Sequence, residues 1–144
     1  MGTLNENETI QKIMTTVIQT INLDTSLSEV GKIFSQSSFH HLPVVEGKQL
    51  LGIVSFTDLM RVSFEDSFGV VEKQTVYDVL DHTLNVEAIM SRDPVTIWID
   101  HTIKEAAEVL SSSPFHSLPV VNDEHELLGI VTSAELIRYL LTLY

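Results

Sequence analysis

Ile13–Val45 aligns without a gap on Ile89–Val121 at an offset of 76, and after one inserted residue Leu50–Arg61 aligns on Leu127–Arg138 at an offset of 77. Of these 45 paired positions, 21 are identical, whereas random pairing at ordinary composition matches roughly one in fifteen. A chain made of two such copies folds as two similar supersecondary units. Each is too small to bury both faces of its sheet alone, so the copies must share what they cannot cover separately.

The two copies read alike. A short helix starts at Thr9 or Asn85, both good N-caps, and ends near Met14 or Met90. A strand follows over Gln19–Leu23 or Val95–Ile99. Ser26 or Thr102 then precedes a Glu three residues on (Glu29, Glu105), the spacing of a capping box. The helix it opens carries Leu27, Val30, Ile33 and Phe34 on one face, and Ile103, Ala106, Ala107, Val109 and Leu110 in the second copy. Two strands come next, His41–Val45 with Leu50–Ser55 and Leu118–Val121 with Leu127–Thr132, joined by Glu46-Gly47-Lys48 and Asn122-Asp123-Glu124. A last helix begins near Thr57 or Ala134. Each unit is thus β-α-β-β-α, and the fold class is α+β.

The expected organisation is a first repeat over 1–63, an ordered connector over 64–84 and a second repeat over 85–144. Thr75–Leu80 within the connector reads as helix. The tail Leu136–Tyr144 is apolar nearly all round, which predicts burial against the other repeat or another subunit.

Composition narrows the function. The absence of Cys excludes a disulfide framework, a thiolate metal site and a Cys nucleophile, and fits a reducing compartment. Twenty acidic against eight basic residues leave a net charge of -12 and no Lys/Arg stripe, so nucleic acid and anionic membrane are poor partners. Met1–Thr9 is polar and acidic, unlike a signal peptide, and Glu6 stands where an acylation signal needs Ser or Thr. No apolar run approaches the roughly 20 residues of a membrane span. A cytoplasmic protein is the expectation. No nucleophile–base pattern, Gly-rich phosphate loop or zinc motif stands in the chain, so it reads as a non-enzyme with no catalytic cofactor.

Ile89-Met90-Ser91-Arg92-Asp93-Pro94-Val95-Thr96, Leu118-Pro119-Val120-Val121 and Leu128-Gly129-Ile130-Val131-Thr132 resemble the CBS domain family. Ile13-Met14, Leu42-Pro43-Val44-Val45 and Gly52–Leu59 match in the first copy, so the likeness covers nearly the whole chain apart from the N-terminus and the connector. The resemblance implies a tandem pair (a Bateman module) packed about a pseudo-two-fold axis. It implies a regulatory role, with an adenosine-containing ligand (AMP, ADP, ATP or S-adenosylmethionine) bound in clefts between the repeats. It also implies a homodimer, and a separate protein as the regulated partner.

Carried over by position, the resemblance places Ser55, Thr57 and Asp58 with Asp93, Val95, Phe115, His116 and Ser117 in a first site. A second site combines Thr132 and Glu135 with Val17, Gln19, Phe39, His40 and His41. A carboxylate can accept from both hydroxyls of a ribose, while a hydroxyl and free amides at a helix start suit a phosphate. The second site departs from the pattern, with Glu135 for Asp and Ala134 for Thr. Both sites have His41 or Ser117 where an Arg often precedes Leu-Pro-Val-Val, which favours a monophosphate or an uncharged-tail nucleoside over a polyphosphate. Other readings of the same residues stay open. Ser55-x-x-Asp58 and Thr132-x-x-Glu135 fit plain helix caps, His40, His41 and His116 fit a metal site, and Phe39 and Phe115 fit core packing as well as stacking. The alternative to a ligand sensor is a dimerisation or interaction module that binds no nucleotide.

Overall fold

Leu42–Val45, the turn at Gly47 and Leu50–Ser55 fold as an antiparallel hairpin in the computed structural model, which describes residues 5–65 and 73–144. Strand β1 (His41–Glu46) pairs with β2 (Gln49–Ser55), and Gly47 turns the hairpin at φ +61°, the left-handed region that disfavours a side chain. The register slips by a bulge between Val44 and Val45. In the second copy β5 (Ser117–Val121) and β6 (Leu127–Thr132) pair likewise, with the slip between Val120 and Val121.

Four helices flank these hairpins as the periodicity predicts: α1 (Leu27–Ser35), α2 (Phe56–Glu65), α5 (Ile103–Ser111) and α6 (Ser133–Leu141). α1 buries Leu27, Val30, Gly31 and Phe34, and α5 buries Ile103, Ala106 and Leu110. Thr102 completes its capping box with Glu105. Ser26 forms only half of the expected one, accepting from the Glu29 amide at 3.2 Å. A carboxylate from elsewhere serves this helix start instead. Asp81 accepts from the Ser28 amide at 2.9 Å and from its hydroxyl at 2.6 Å. Asp81 belongs to α3 (Lys73–Thr83), the helix read within the connector; residues 66–72 lie outside the described part.

The first short helices and strands are slighter than the sequence predicts. Thr9 makes no side-chain cap, and only a single 3-10 turn forms over Ile10–Lys12. Asn85 does cap α4 (Val86–Ile89), accepting from the Ala88 amide at 3.0 Å. Gln19–Leu23 contracts to one bridge, Ile21 beside Val44, because the Asn22 side chain accepts from the Asp24 amide and turns the chain away. Val95–Ile99 contracts to β4 (Ile97–Trp98), parallel to β5. Pro94 lacks an amide before it, and a turn from His101 to the Trp98 carbonyl follows.

The compact units do not follow the sequence copies. Gln19–Pro94 form one, and Val95–Tyr144 form the other together with the segment that ends at Ile18. Each unit therefore takes its short first helix from the opposite copy. Ile10 is fully buried among Ile97, Ala106, Leu118, Val120 and Val131, while Val86 is fully buried with Leu42, Val44, Val54 and Leu59. The backbone confirms the exchange. Thr15 and Ile130 swap amide–carbonyl bonds at 2.9 Å, and β3 (Ser91–Arg92), absent from the sequence reading, adds to β2 opposite Gly52 and Ile53. A Cβ at Gly52 would lie 2.5 Å from the Ser91 carbonyl oxygen, and one at Gly129 would lie 2.9 Å from that of Thr15. The repeated Leu-Gly-Ile-Val thus holds Gly where a crossing backbone touches the strand.

In the unit containing Tyr144, a polar cluster ties the chain start to α6. The Tyr139 hydroxyl donates to Glu8, Lys12 pairs with Glu8 at 2.5 Å, and the Lys12 ammonium lies 5.8 Å from the Tyr139 ring. The Lys12 ammonium and the Tyr139 hydroxyl hold the Glu8 carboxyl below the usual carboxylate range. A lowered folded-state value contributes stability above the unfolded-state value and loses it as pH falls through the lowered one. The Ile10 and Ile103 amides, bonded to His101 and Glu8 carbonyls, should therefore lose hydrogen-exchange protection relative to α1 as pH falls below the usual carboxylate range. Glu8→Gln should remove that acid sensitivity, and equal protection ratios above and below that range would refute the assignment.

Candidate functional site

Ser55 ends β2, and Asp58 lies in the first turn of α2. The two are reciprocally bonded: the Ser55 amide donates to Asp58 Oδ2 at 2.9 Å, and the Asp58 amide to Ser55 Oγ at 3.0 Å. This is the capping pattern read from the sequence, with one oxygen left over. Among the described residues Asp58 Oδ1 meets the Arg61 guanidinium alone, at 3.5 Å, and the Asp58 side chain is 14% exposed. Thr57 beside it is exposed.

Glu135 occupies the equivalent corner of the other unit with both oxygens engaged. Oε2 accepts from the Thr132 amide at 2.5 Å, and Oε1 accepts from the Thr15 hydroxyl. The extra methylene of Glu carries its second oxygen out to Thr15. The two corners therefore differ in what is already engaged: among the described residues Asp58 Oδ1 meets Arg61 and accepts no hydrogen bond, whereas each Glu135 oxygen already accepts one.

Within each unit the hairpin brings the corner beside residues just before Leu-Pro-Val-Val. His41 is opposite Ser55, and the Phe56 amide donates to the His40 carbonyl at 2.8 Å. Ser117 is opposite Thr132, and the Ser133 amide donates to the His116 carbonyl at 2.9 Å. Asp58 thus neighbours residues assigned to the second site, and Glu135 residues assigned to the first. Asp93 shares the unit of Asp58, exposed and in the left-handed region at φ 49°, a conformation Asp tolerates better than most side chains.

Val17 (92% exposed) and Val95 (53%) present apolar surface to solvent, and Gln19 is exposed, its amide on the Thr20 carbonyl. Phe115 packs against the core of its unit, while Phe39 is 39% exposed. His40 and His116 are exposed and His41 is half-buried. Among the described residues no three His, Asp or Glu side chains converge as metal ligands.

Two residues beside Asp58 were missed from the sequence. Arg61 supplies the cation, and its signal was legible, since Arg recurs in both copies three residues after the carboxylate. Phe56 is the other. It is 40% exposed, edge-on to Phe34 at 5.8 Å and to His40 at 6.0 Å, an aromatic face with no counterpart at Ser133.

Two duplicated α+β units, each with a polar corner at the start of its last helix, are the framework of a tandem-repeat protein. The chain belongs to the CBS domain family, whose profile matches residues 10–65 and 86–142. A CBS domain-containing protein of Dictyostelium discoideum is 32% identical over 133 residues, covering 92% of this chain and 90% of that protein. The uncharacterised protein MJ1225 of Methanocaldococcus jannaschii is 27% identical over 94% of this chain, which spans only about half (48%) of its length. CBSX2 in complex with AMP superposes at a TM-score of 0.77 with 24% identity, covering 94% of this chain and 97% of that one; CBSX2 is a CBS-pair protein of Arabidopsis thaliana.

Proposed function

We propose that this chain is a regulatory module that senses an adenosine-containing ligand of the AMP, ADP, ATP or S-adenosylmethionine class. The observation that carries the reading is the Asp58 corner. A carboxylate held by the backbone with one oxygen unspent suits a ribose diol, Thr57 and Arg61 suit a phosphate, and Phe56 offers a face for a base. AMP in the similarly folded CBSX2 supports the choice of ligand class. In this reading the module is cytoplasmic, catalyses nothing itself and reports to a separate protein. AMP in hundredfold excess over its Kd stabilises the folded state by about 2.7 kcal/mol. That should raise Tm by several degrees, at roughly 2–4 °C per kcal/mol. Flat melting curves with AMP, ADP, ATP, adenosine and S-adenosylmethionine at millimolar concentration would overturn it.

Self-association is a second reading, favoured by a specific surface. Ile137 and Leu141 make an apolar stripe on α6, with Tyr144 beyond its end, and the three are 59%, 66% and 83% exposed, which leaves another subunit, one of the two covers the sequence predicts, to bury them. A two-fold partner would cover such a stripe with its own copy. Light scattering should then give twice the 16.1 kDa chain mass, and a monomer at micromolar concentration would exclude it.

A further inference from the structure

Arg61 and Arg138 are aligned by the repeat, each three residues after the carboxylate of its corner. The two are used differently. Residues three apart share one face of a helix, so Arg61 can reach back to Asp58, and its Nη1 stands 3.5 Å from Oδ1. Glu135 has turned its oxygens to Thr132 and Thr15 instead. Arg138 is exposed and pairs with no carboxylate among the described residues.

The Asp58–Arg61 contact is poised for exchange. A charge-assisted N–H···O bond closes to about 2.7–2.9 Å, and this contact is longer and uses one guanidinium nitrogen. The Arg61 side chain is 58% exposed, and pairs so open to water are weak. The Ser55 amide holds the other carboxylate oxygen at 2.9 Å, so Asp58 keeps its place when Arg61 leaves. The oxygen that Arg61 meets is the one a ribose hydroxyl would use.

We infer that Arg61 makes this corner selective for adenosine ligands that carry a phosphate on the ribose, by giving up Asp58 for the phosphate as Asp58 takes the ribose. The selectivity presupposes the adenosine-ligand reading above and names which members of that class bind. A phosphate offers the guanidinium two parallel N–H···O bonds in place of one long contact. Adenosine draws Asp58 away from Arg61 and gives the guanidinium nothing in return. S-adenosylmethionine does worse, because it places a positive sulfonium where the phosphate would stand. AMP, ADP and ATP all complete the exchange through the phosphate next to the ribose. The Glu135 corner has no such exchange, because its carboxylate and Arg138 are not paired.

Calorimetry of the full chain with AMP and with adenosine tests this on wild type, Arg61→Gln, Arg61→Lys and Arg138→Gln. Wild type should bind AMP roughly tenfold or more tighter than adenosine. Arg61→Gln should bring the two Kd values within about threefold of each other, by weakening AMP while adenosine binds equally or more tightly. Arg61→Lys should keep part of the preference, as a charge without the planar fork, and Arg138→Gln should keep all of it. An AMP preference that survives Arg61→Gln overturns the inference, and so does equal affinity for the two compounds in wild type. Adenosine binding that weakens in Arg61→Gln would make Arg61 a prop for Asp58 rather than a competitor, and also overturns it. In each of those outcomes a ligand still binds and the adenosine-ligand reading stands. Wild type that binds neither compound overturns that reading and the selectivity with it.

Discussion

Asp58→Ala is expected to weaken AMP binding by roughly tenfold or more, while Glu135→Ala leaves affinity nearly unchanged and costs more in stability. The difference follows from what each carboxylate already does. A hydrogen bond to a charged group contributes about 1.5–3 kcal/mol, and 1.4 kcal/mol is about a factor of ten in Kd. Among the described residues Asp58 Oδ1 meets Arg61 alone, at 3.5 Å, and can accept from a ribose hydroxyl. Glu135 already accepts from the Thr132 amide and the Thr15 hydroxyl, one on each oxygen, so a ribose hydroxyl would have to share an oxygen that is held in place by another donor. Both substitutions remove the carboxylate half of a capping box and leave the Ser55 or Thr132 cap in place, but only Glu135→Ala also releases Thr15 from α6. Calorimetry with AMP should therefore separate the variants by affinity, and melting curves should separate them in the opposite sense. Equal affinity losses would show that the two corners share the binding after all.

That asymmetry was partly legible in the sequence. Glu for Asp is visible at residue 135, and a longer side chain predicts a poorer grip on a diol. The sequence does not show where the longer side chain goes. Thr15 lies 120 residues away, and its approach depends on the segment up to Ile18 packing with the second copy. The same crossing hid β3 and the reason for Gly52 and Gly129, because periodicity reports which face a residue uses and not which copy supplies its neighbour. Local signals fared better. The two hairpins, the helix starts at Ser26, Thr102 and Thr132, and the α1 and α5 faces rest on contacts within a few residues, and each was read within a residue or two. The tail is the opposite case: its apolar residues predict burial against the other repeat or another subunit, and among the described residues no helix covers α6 as α3 covers α2.

Gly31→Ala is expected to destabilise the fold although it puts the best helix former into the middle of α1. In an open helix the exchange gains about 0.5–1 kcal/mol. Here the new Cβ would lie 2.3 Å from the Tyr77 hydroxyl oxygen and 2.5 Å from Cζ, so α3 must move or the ring must turn. The ring is 9% exposed, and burial pushes its phenol pKa up, so it is hemmed in rather than a loose end. Overpacking of this kind costs about 1–3 kcal/mol, which outweighs the propensity gain and lowers Tm by several degrees at roughly 2–4 °C per kcal/mol. The second copy contains the reverse exchange. Ala107→Gly relieves no clash and should lose only the propensity difference, about 0.5–1 kcal/mol. Tyr77→Leu should largely rescue Gly31→Ala while being destabilising alone, a coupling that urea melts of the four-member cycle would measure. A Gly31→Ala variant more stable than wild type would mean that α3 does not press on α1 at this point.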